Sequence, residues 1–143
     1  EARSKKPSKK ILKLAYLGVP PIMNDLYSYI EERGAKVVFN EVQREFAFPR
    51  HVKAKNIFEQ YLNYTYPYGI EFRIKNLEKD LADRDVQGLI HYTQKFCHRA
   101  LDNIVLKEKL PYPLLNIEAD RESVLDERTK LRLDAFIDML GDM

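Results

Sequence analysis

The chain has 143 residues, the length of one globular domain, and 45% of them are hydrophobic, which excludes a disordered or fibrous protein. The 24 basic and 22 acidic side chains leave a net charge of +2. Residues 1–10 carry +4 and residues 11–143 therefore sum to −2, so the folded part lacks the basic face of a nucleic-acid-binding domain. We predict a basic linker or tail at 1–10, a single α/β domain over 11–143 and no nucleic-acid partner.

Cys97 is the only cysteine. A single cysteine excludes an internal disulfide framework and is typical of a protein in a reducing compartment. One thiolate also cannot form a zinc or iron–sulfur site alone. No apolar run approaches the roughly 18 residues that cross a bilayer, and the first residues lack the apolar core of a signal peptide. These features predict a cytoplasmic protein without a membrane partner. The charged start without Met suggests a fragment of a longer multidomain subunit.

Apolar segments of two kinds alternate along the chain. Short runs typical of buried strands lie at 11–17, 36–42, 86–92 and 112–117. Apolar residues with helical spacing predict helices at 22–33, near 52–63, at 70–84, around 100–105 and at 133–140. Gly34 follows the first helix as a C-cap, and Pro111 ends the fourth.

This alternation indicates a parallel sheet covered on both faces by helices. The predicted fold is a flavodoxin-like, doubly wound three-layer sandwich with a four-stranded sheet of order 2-1-3-4. In such sheets ligands bind at the carboxyl ends of the strands, near the point where the strand order reverses. We therefore expect the functional residues after the strands, in the segments 18–21, 40–41, 91–98 and 118–121.

The segment that follows the third strand, residues 91–99, is the richest in reactive side chains. Cys97 is expected near a helix N-terminus, where the helix dipole favours a thiolate suited to metal ligation or nucleophilic attack. Its alternative role is that of a small buried side chain. A Cys–His hydrolase is disfavoured, because His98 is a sequence neighbour and His51 is the only distant histidine. His91 and His98 suit metal or proton binding, or hydrogen bonds to the backbone.

Several other side chains suit a pocket or an interface. The tyrosine-rich loop that contains Tyr66 and Tyr68 is either a contact surface or an ordinary surface loop. Arg73, Asp120 and Arg121 suit an anionic ligand, or a solvated helix face with a capping carboxylate. The segment after the first strand has no phosphate-binding glycine pattern, which makes a dinucleotide or nucleoside triphosphate site of the usual type improbable.

A family resemblance rests on six segments, which are Gly18-Val19-Pro20-Pro21, residues 37–44, Tyr64-Thr65-Tyr66-Pro67-Tyr68, residues 88–92, Phe96-Cys97-His98-Arg99 and Glu118-Ala119-Asp120-Arg121. Together they resemble the C-terminal domain of the 2-hydroxyglutaryl-CoA dehydratase D-component family, over about residues 11–142. That family includes benzoyl-CoA reductase subunits and related double-cubane-cluster proteins. The most specific part is Phe-Cys-His-Arg followed by Asp-Arg after the next strand.

The resemblance implies flavodoxin-like domains whose cysteines jointly hold an iron–sulfur cluster such as [4Fe–4S], with Cys97 as one ligand and the others in upstream domains of the same subunit. It also implies an ATP-hydrolysing activator protein that supplies a low-potential electron, and it allows a homo- or heterodimer and an acyl-CoA substrate. The isolated chain is expected to hold no cluster and to be inactive. The residues expected to line the surrounding pocket are His91, Phe96, His98, Arg99, Asp120, Arg121, Tyr66 and Tyr68.

Other functions remain open from the sequence. The resemblance covers a dehydratase, a reductase and a paralogue whose substrate is not an acyl-CoA. A flavodoxin-like interaction or ligand-binding domain, with Cys97 structural and the tyrosine loop as a contact surface, is the alternative from another class. A thiol hydrolase or transferase would require an unusually reactive Cys97.

Overall fold

A computed structural model of the protein describes residues 11–47, 53–62, 69–121 and 123–143. The basic segment 1–10, His51, and the pocket candidates Tyr66 and Tyr68 lie outside the described residues.

Four parallel strands form the central sheet. They are β1 (Leu12–Gly18), β2 (Ala35–Asn40), β3 (Gly88–Gln94) and β4 (Leu114–Ala119). Their order is β2-β1-β3-β4, and each neighbouring pair is parallel. The predicted α/β class, flavodoxin-like arrangement and strand order are thereby confirmed. The order reverses between β1 and β3, so the carboxyl ends of these two strands lie at the switch point.

In the described residues, six α-helices and the 3₁₀ turn after β3 connect and cover the strands. They are α1 (Leu26–Glu32), α2 (Glu41–Phe46), α3 (Ile57–Leu62), α4 (Ile70–Ala82), the 3₁₀ turn His98–Ala100, α5 (Asp102–Lys109) and α6 (Glu127–Gly141). Gly34 follows α1 with φ of +80°, as expected of a C-cap glycine. Within the part of the chain that the structure describes, no helix has the length and apolar character needed to cross a bilayer.

Two element boundaries differ from the prediction for identifiable reasons. The second strand ends at Asn40, because the side chain of Asn40 accepts a hydrogen bond from the backbone N–H of Gln43 at 3.1 Å and caps α2. The first helix begins at Leu26 and not at residue 22. Asn24 instead donates its backbone N–H to Ser123 at 2.9 Å, which joins the loops after β1 and β4.

The sheet has a separate hydrophobic core on each face. One core packs α1 and α6 against residues of all four strands, including the buried Tyr16 and Ile90. The other packs α4 and α5 against residues such as Leu17 and Leu89. Successive strand residues therefore alternate between two buried faces, as the period of a strand requires. Helices on both faces leave the carboxyl ends of the strands as one edge of the sandwich.

Candidate functional site

The end of β1 lies directly against β3. Gly18 has φ of +106°, and a Cβ atom at this position would lie 2.0 Å from the carbonyl oxygen of Tyr92. The following residue, Val19, donates its backbone N–H to that carbonyl at 3.2 Å. Glycine alone fits this close approach without moving a strand. The backbone N–H of Gly18 donates to Oε2 of Glu41 at 3.0 Å, which brings a carboxylate to the switch point.

Glu41 forms a buried ion pair beside that glycine. It begins α2 immediately after β2, and its partner Arg73 lies in the first turn of α4. The guanidinium donates from Nε to Oε1 at 2.7 Å and from Nη2 to Oε2 at 2.6 Å, and both side chains are at most 2% exposed. Burial alone would raise the pKa of Glu41. The hydrogen bonds and charge of Arg73, with the N–H of Gly18, outweigh burial and lower this pKa, so the carboxylate is ionised.

Asp102, in the first turn of α5, extends this ion pair. Its Oδ2 accepts from Nη1 of Arg73 at 2.7 Å and lies 3.6 Å from Nη1 of Arg99. We call Glu41, Arg73, Arg99 and Asp102 the buried ion cluster. Its two carboxylates balance its two guanidiniums. The prediction that Arg73 lies on a solvated face or binds an anion is wrong, because the side chain is 1% exposed and carboxylates of the protein accept from Nε, Nη1 and Nη2.

His91 of β3 is fully buried and lies close enough to Glu41, Arg73 and Asp102 for their charges to act on its ring. The side chain of Asn103, which follows Asp102 in α5, interacts with the same ring. Thr93 of β3 is also fully buried, and its Oγ1 has no hydrogen-bond partner among the described residues. Burial, followed by the nearby charge of Arg73, lowers the pKa of His91 from 6.5 to about 4. The ring is therefore neutral at neutral pH.

Cys97 lies on a tight turn directly after β3. Its backbone N–H donates to the carbonyl of Gln94 at 3.1 Å, and its own carbonyl accepts from Ala100 at 3.0 Å. Phe96 has φ of +63°, a conformation that the third position of a type II turn requires and that glycine or asparagine normally adopts. The Phe96 side chain is fully exposed, whereas Cys97 is half-buried. The turn thus places the thiol at the edge of the sandwich, next in sequence to the exposed ring of Phe96.

The end of β4 differs from this arrangement. Asp120 and Arg121 follow the strand and lie 3.9 Å apart, with side chains 48% and 93% exposed. Below them, the loop is joined to the start of α1, because Leu125 donates its backbone N–H to Asp25 at 2.8 Å. The predicted pocket residues after β4 are therefore solvent-exposed in this chain.

The predicted site residues separate into three groups. Arg99 belongs to the ion cluster, and the fully buried His91 lies beside it. Phe96 and His98 are exposed on either side of Cys97. Asp120 and Arg121 are exposed after β4. Cys97 begins a 3₁₀ turn, and α5 starts five residues later.

The sequence placed Glu41 in one of the strand-end segments expected to be functional, without a specific role, and its patterns assigned no role to Asp102 or Asn103. The spacing of Arg99 and Asp102, three residues apart, was the available signal for their ion pair. The ion pair of Glu41 with Arg73 had no local signal, because 32 residues separate the partners.

The comparison with protein families gives one result. A sequence model of the family described as 2-hydroxyglutaryl-CoA dehydratase, D-component, matches residues 1–140. The chain belongs to this family. A search of curated proteins finds no match. The suspected family is confirmed, and the chain is a dehydratase-like component with a flavodoxin-like fold.

This domain offers one thiol as a metal ligand, that of Cys97. No group of three or more His, Cys, Asp or Glu side chains among the described residues could hold a metal ion. Cys97 is half-buried, at the edge of the sandwich and on a turn, which suits a thiolate that binds a metal shared with another protein surface. An iron–sulfur cubane takes about four thiolate ligands. The residues fit such a cluster as the donor of a single ligand.

Proposed function

We propose that this D-component domain forms one wall of an iron–sulfur site, and that Cys97 supplies one of the cluster's thiolates. The observation that carries the proposal is the position of the chain's only thiol, half-buried on a turn at the carboxyl edge, next to the switch point of a parallel sheet. The remaining ligands come from protein outside the described residues. The cluster, when bound, supplies one-electron chemistry at low potential.

The residues around Cys97 have separate tasks in this proposal. The fully exposed ring of Phe96 would shield a bound cluster from water where a second protein surface packs against this edge. His98, exposed on the other side of the thiol, is available to donate a hydrogen bond to a sulfur atom. His91 is neutral and buried, so it contributes no charge to the site.

We also propose that the complete enzyme acts on a 2-hydroxyacyl-CoA and receives its electron from an ATP-hydrolysing activator protein. Membership of the dehydratase family supports this substrate class. The net reaction removes the 2-hydroxyl group and a proton from C3 as water and leaves an unsaturated thioester. An anaerobic assay with the activator, ATP, a reductant and 2-hydroxyglutaryl-CoA tests the activity. We expect the unsaturated thioester to form only when all components are present, and its failure to form would contradict this substrate assignment.

The cluster proposal is tested by the iron and acid-labile sulfide contents and the visible absorption spectrum of the complete D-component, purified without oxygen. The variants are Cys97→Ser, which changes one atom, and Lys95→Ala, an exposed change in the same turn. We expect Cys97→Ser to lose or strongly alter the cluster and Lys95→Ala to leave it unchanged. An unchanged cluster in Cys97→Ser would make the cysteine a packing residue.

An interaction domain with a structural cysteine is the second candidate. The observation that favours it is a set of exposed apolar side chains in and after the cysteine turn, with Phe96 fully exposed, Leu101 71% exposed and Ile104 68% exposed. A wild-type D-component purified without oxygen and free of iron would overturn the cluster proposal and support this candidate.

A further inference from the structure

A continuous chain of polar contacts links the end of β1 to the cysteine turn. It runs from the backbone N–H of Gly18 to Glu41, then to Arg73, Asp102 and Arg99, with distances of 3.0, 2.6, 2.7 and 3.6 Å. Its first three side chains come from α2, α4 and α5, which are separate elements of the fold. The last one belongs to the 3₁₀ turn that Cys97 begins. The rigid sheet is thereby connected to the thiol's own turn.

Backbone hydrogen bonds shape the cysteine turn, from Cys97 to Gln94 at 3.1 Å and from Ala100 to Cys97 at 3.0 Å. Cys97 makes no side-chain cap to the 3₁₀ turn, which spans only His98–Ala100. Phe96 holds a left-handed conformation at φ of +63°, which is unfavourable for a residue other than glycine. Such conformations persist where surrounding contacts enforce them. Arg99, 9% exposed and drawn inward to Asp102, is the side chain that makes such a contact.

The energetics of buried ion pairs argue for a positioning role. Replacing a buried ion pair by apolar side chains of similar size is often neutral or stabilising, so burial of this cluster is weak evidence for a gain in stability. Its hydrogen bonds do specify geometry, because the planar guanidinium of Arg73 reaches both carboxylates at once. The cluster therefore determines where the first turn of α5 lies and, through Asp102, where Arg99 lies.

We propose that Asp102 and Arg73 are positioning residues for Cys97, and that they act through Arg99 to hold the thiol at one place on the carboxyl edge. The functional importance of that place rests on the proposed cluster-binding role of Cys97. The positioning itself does not require iron, so it can be tested separately.

The single cysteine makes the test direct. A nitroxide spin label attached to Cys97 in the full 143-residue chain reports the mobility of its turn through the electron paramagnetic resonance line shape, with no other thiol to remove. The test variants are Asp102→Ala and Arg99→Ala. The matched control is Asp134→Ala, because Asp134 is 26% exposed against 23% for Asp102 and also binds two partners, Arg33 and Tyr29.

We expect the rotational correlation time of the label to shorten at least about twofold in Asp102→Ala and in Arg99→Ala, and to stay at the wild-type value in Asp134→Ala. The double variant Asp102→Ala/Arg99→Ala should match the single variants, because both remove the same link. A wild-type line shape in Arg99→Ala, or equal mobility in Asp102→Ala and Asp134→Ala, would overturn the proposal. Circular dichroism confirms that each labelled variant is folded.

Failure of this inference is distinguishable from failure of the proposed function. A D-component without iron would remove the cluster proposal while the label still reports the link between Asp102 and the turn. Conversely, a cluster that depends on Cys97 together with unchanged label mobility would keep the proposed function and reject the positioning role.

Discussion

The two halves of the carboxyl edge use charged side chains in opposite ways. At the switch point, Glu41 and Arg73 are at most 2% exposed and joined by two hydrogen bonds. After β4, Asp120 and Arg121 are 48% and 93% exposed, and Nε of Arg121 lies as far as 3.9 Å from Oδ2 of Asp120. Burial removes water from the first pair, so its geometry is enforced, whereas solvent screens the second. Glu41 and Asp120 each follow a strand directly, so burial makes the difference between them.

The largest effect on stability should follow from breaking the buried ion pair of Glu41 with Arg73. Arg73→Met leaves Glu41 buried without its cation, and we expect a loss of about 3–5 kcal/mol in the free energy of unfolding, measured by denaturant titration. The double variant Arg73→Met/Glu41→Gln removes the uncompensated charge and should recover part of that loss. If the free energy of unfolding of Arg73→Met lay within about 1 kcal/mol of the wild-type value, the buried and the exposed charged pairs would be energetically alike.

A pH effect of intermediate size should come from His91. The unfolded ring titrates near pH 6.5 and the folded ring at about 4, so between these values only the unfolded chain binds the proton. The free energy of unfolding should therefore be highest above pH 6.5. It should fall by up to roughly 3 kcal/mol as the pH falls to about 4. Thermal unfolding at several pH values measures this loss.

His91→Gln is the control for the pH experiment, because glutamine does not titrate. Its stability should change little between pH 6.5 and 5, and a loss should begin only as the pH falls further, where protonation of Glu41 breaks the ion pair. An equal pH dependence in His91→Gln and the wild type would contradict the assignment of the loss to this ring.

The smallest effect on stability should follow from changing the exposed pair Asp120 and Arg121 after β4. Arg121→Ala removes a 93% exposed side chain whose Nε lies 3.9 Å from Oδ2 of Asp120, and we expect less than about 0.5 kcal/mol of change in unfolding free energy. The same denaturant titration measures it beside Arg73→Met. A loss above about 1 kcal/mol would require an ion pair at the end of β4 as strong as the buried one.

Local patterns predicted the elements but not every boundary. The β-branched run at 37–38 and the apolar stripe from Ile70 to Leu81 correctly predicted β2 and α4. The strand pattern also extended to residue 42, because Val42 suits a strand, whereas the side-chain cap from Asn40 starts a helix there. β3 continues to Gln94 because it pairs with β4 up to Ala119, a contact between distant segments.

The ion cluster lay partly within reach of sequence reasoning. Arg73 is three residues after Ile70 and four before Leu77, so helical spacing places it on the apolar face of α4. A charge on that face indicates a buried ion pair. Its partners are not readable from the pattern, because Glu41 and Asp102 are 32 and 29 residues away and meet it only in the folded sheet.

Site-specific alkylation of Cys97 shows whether this thiol binds a metal cluster. The complete D-component is purified without oxygen and treated with iodoacetamide before and after a chelator removes its iron, and mass spectrometry then measures modification of the Cys97 peptide. The account predicts a protected thiol in the iron-loaded protein and a modified thiol after iron removal. Equal modification in both states would identify Cys97 as a free thiol and contradict the account.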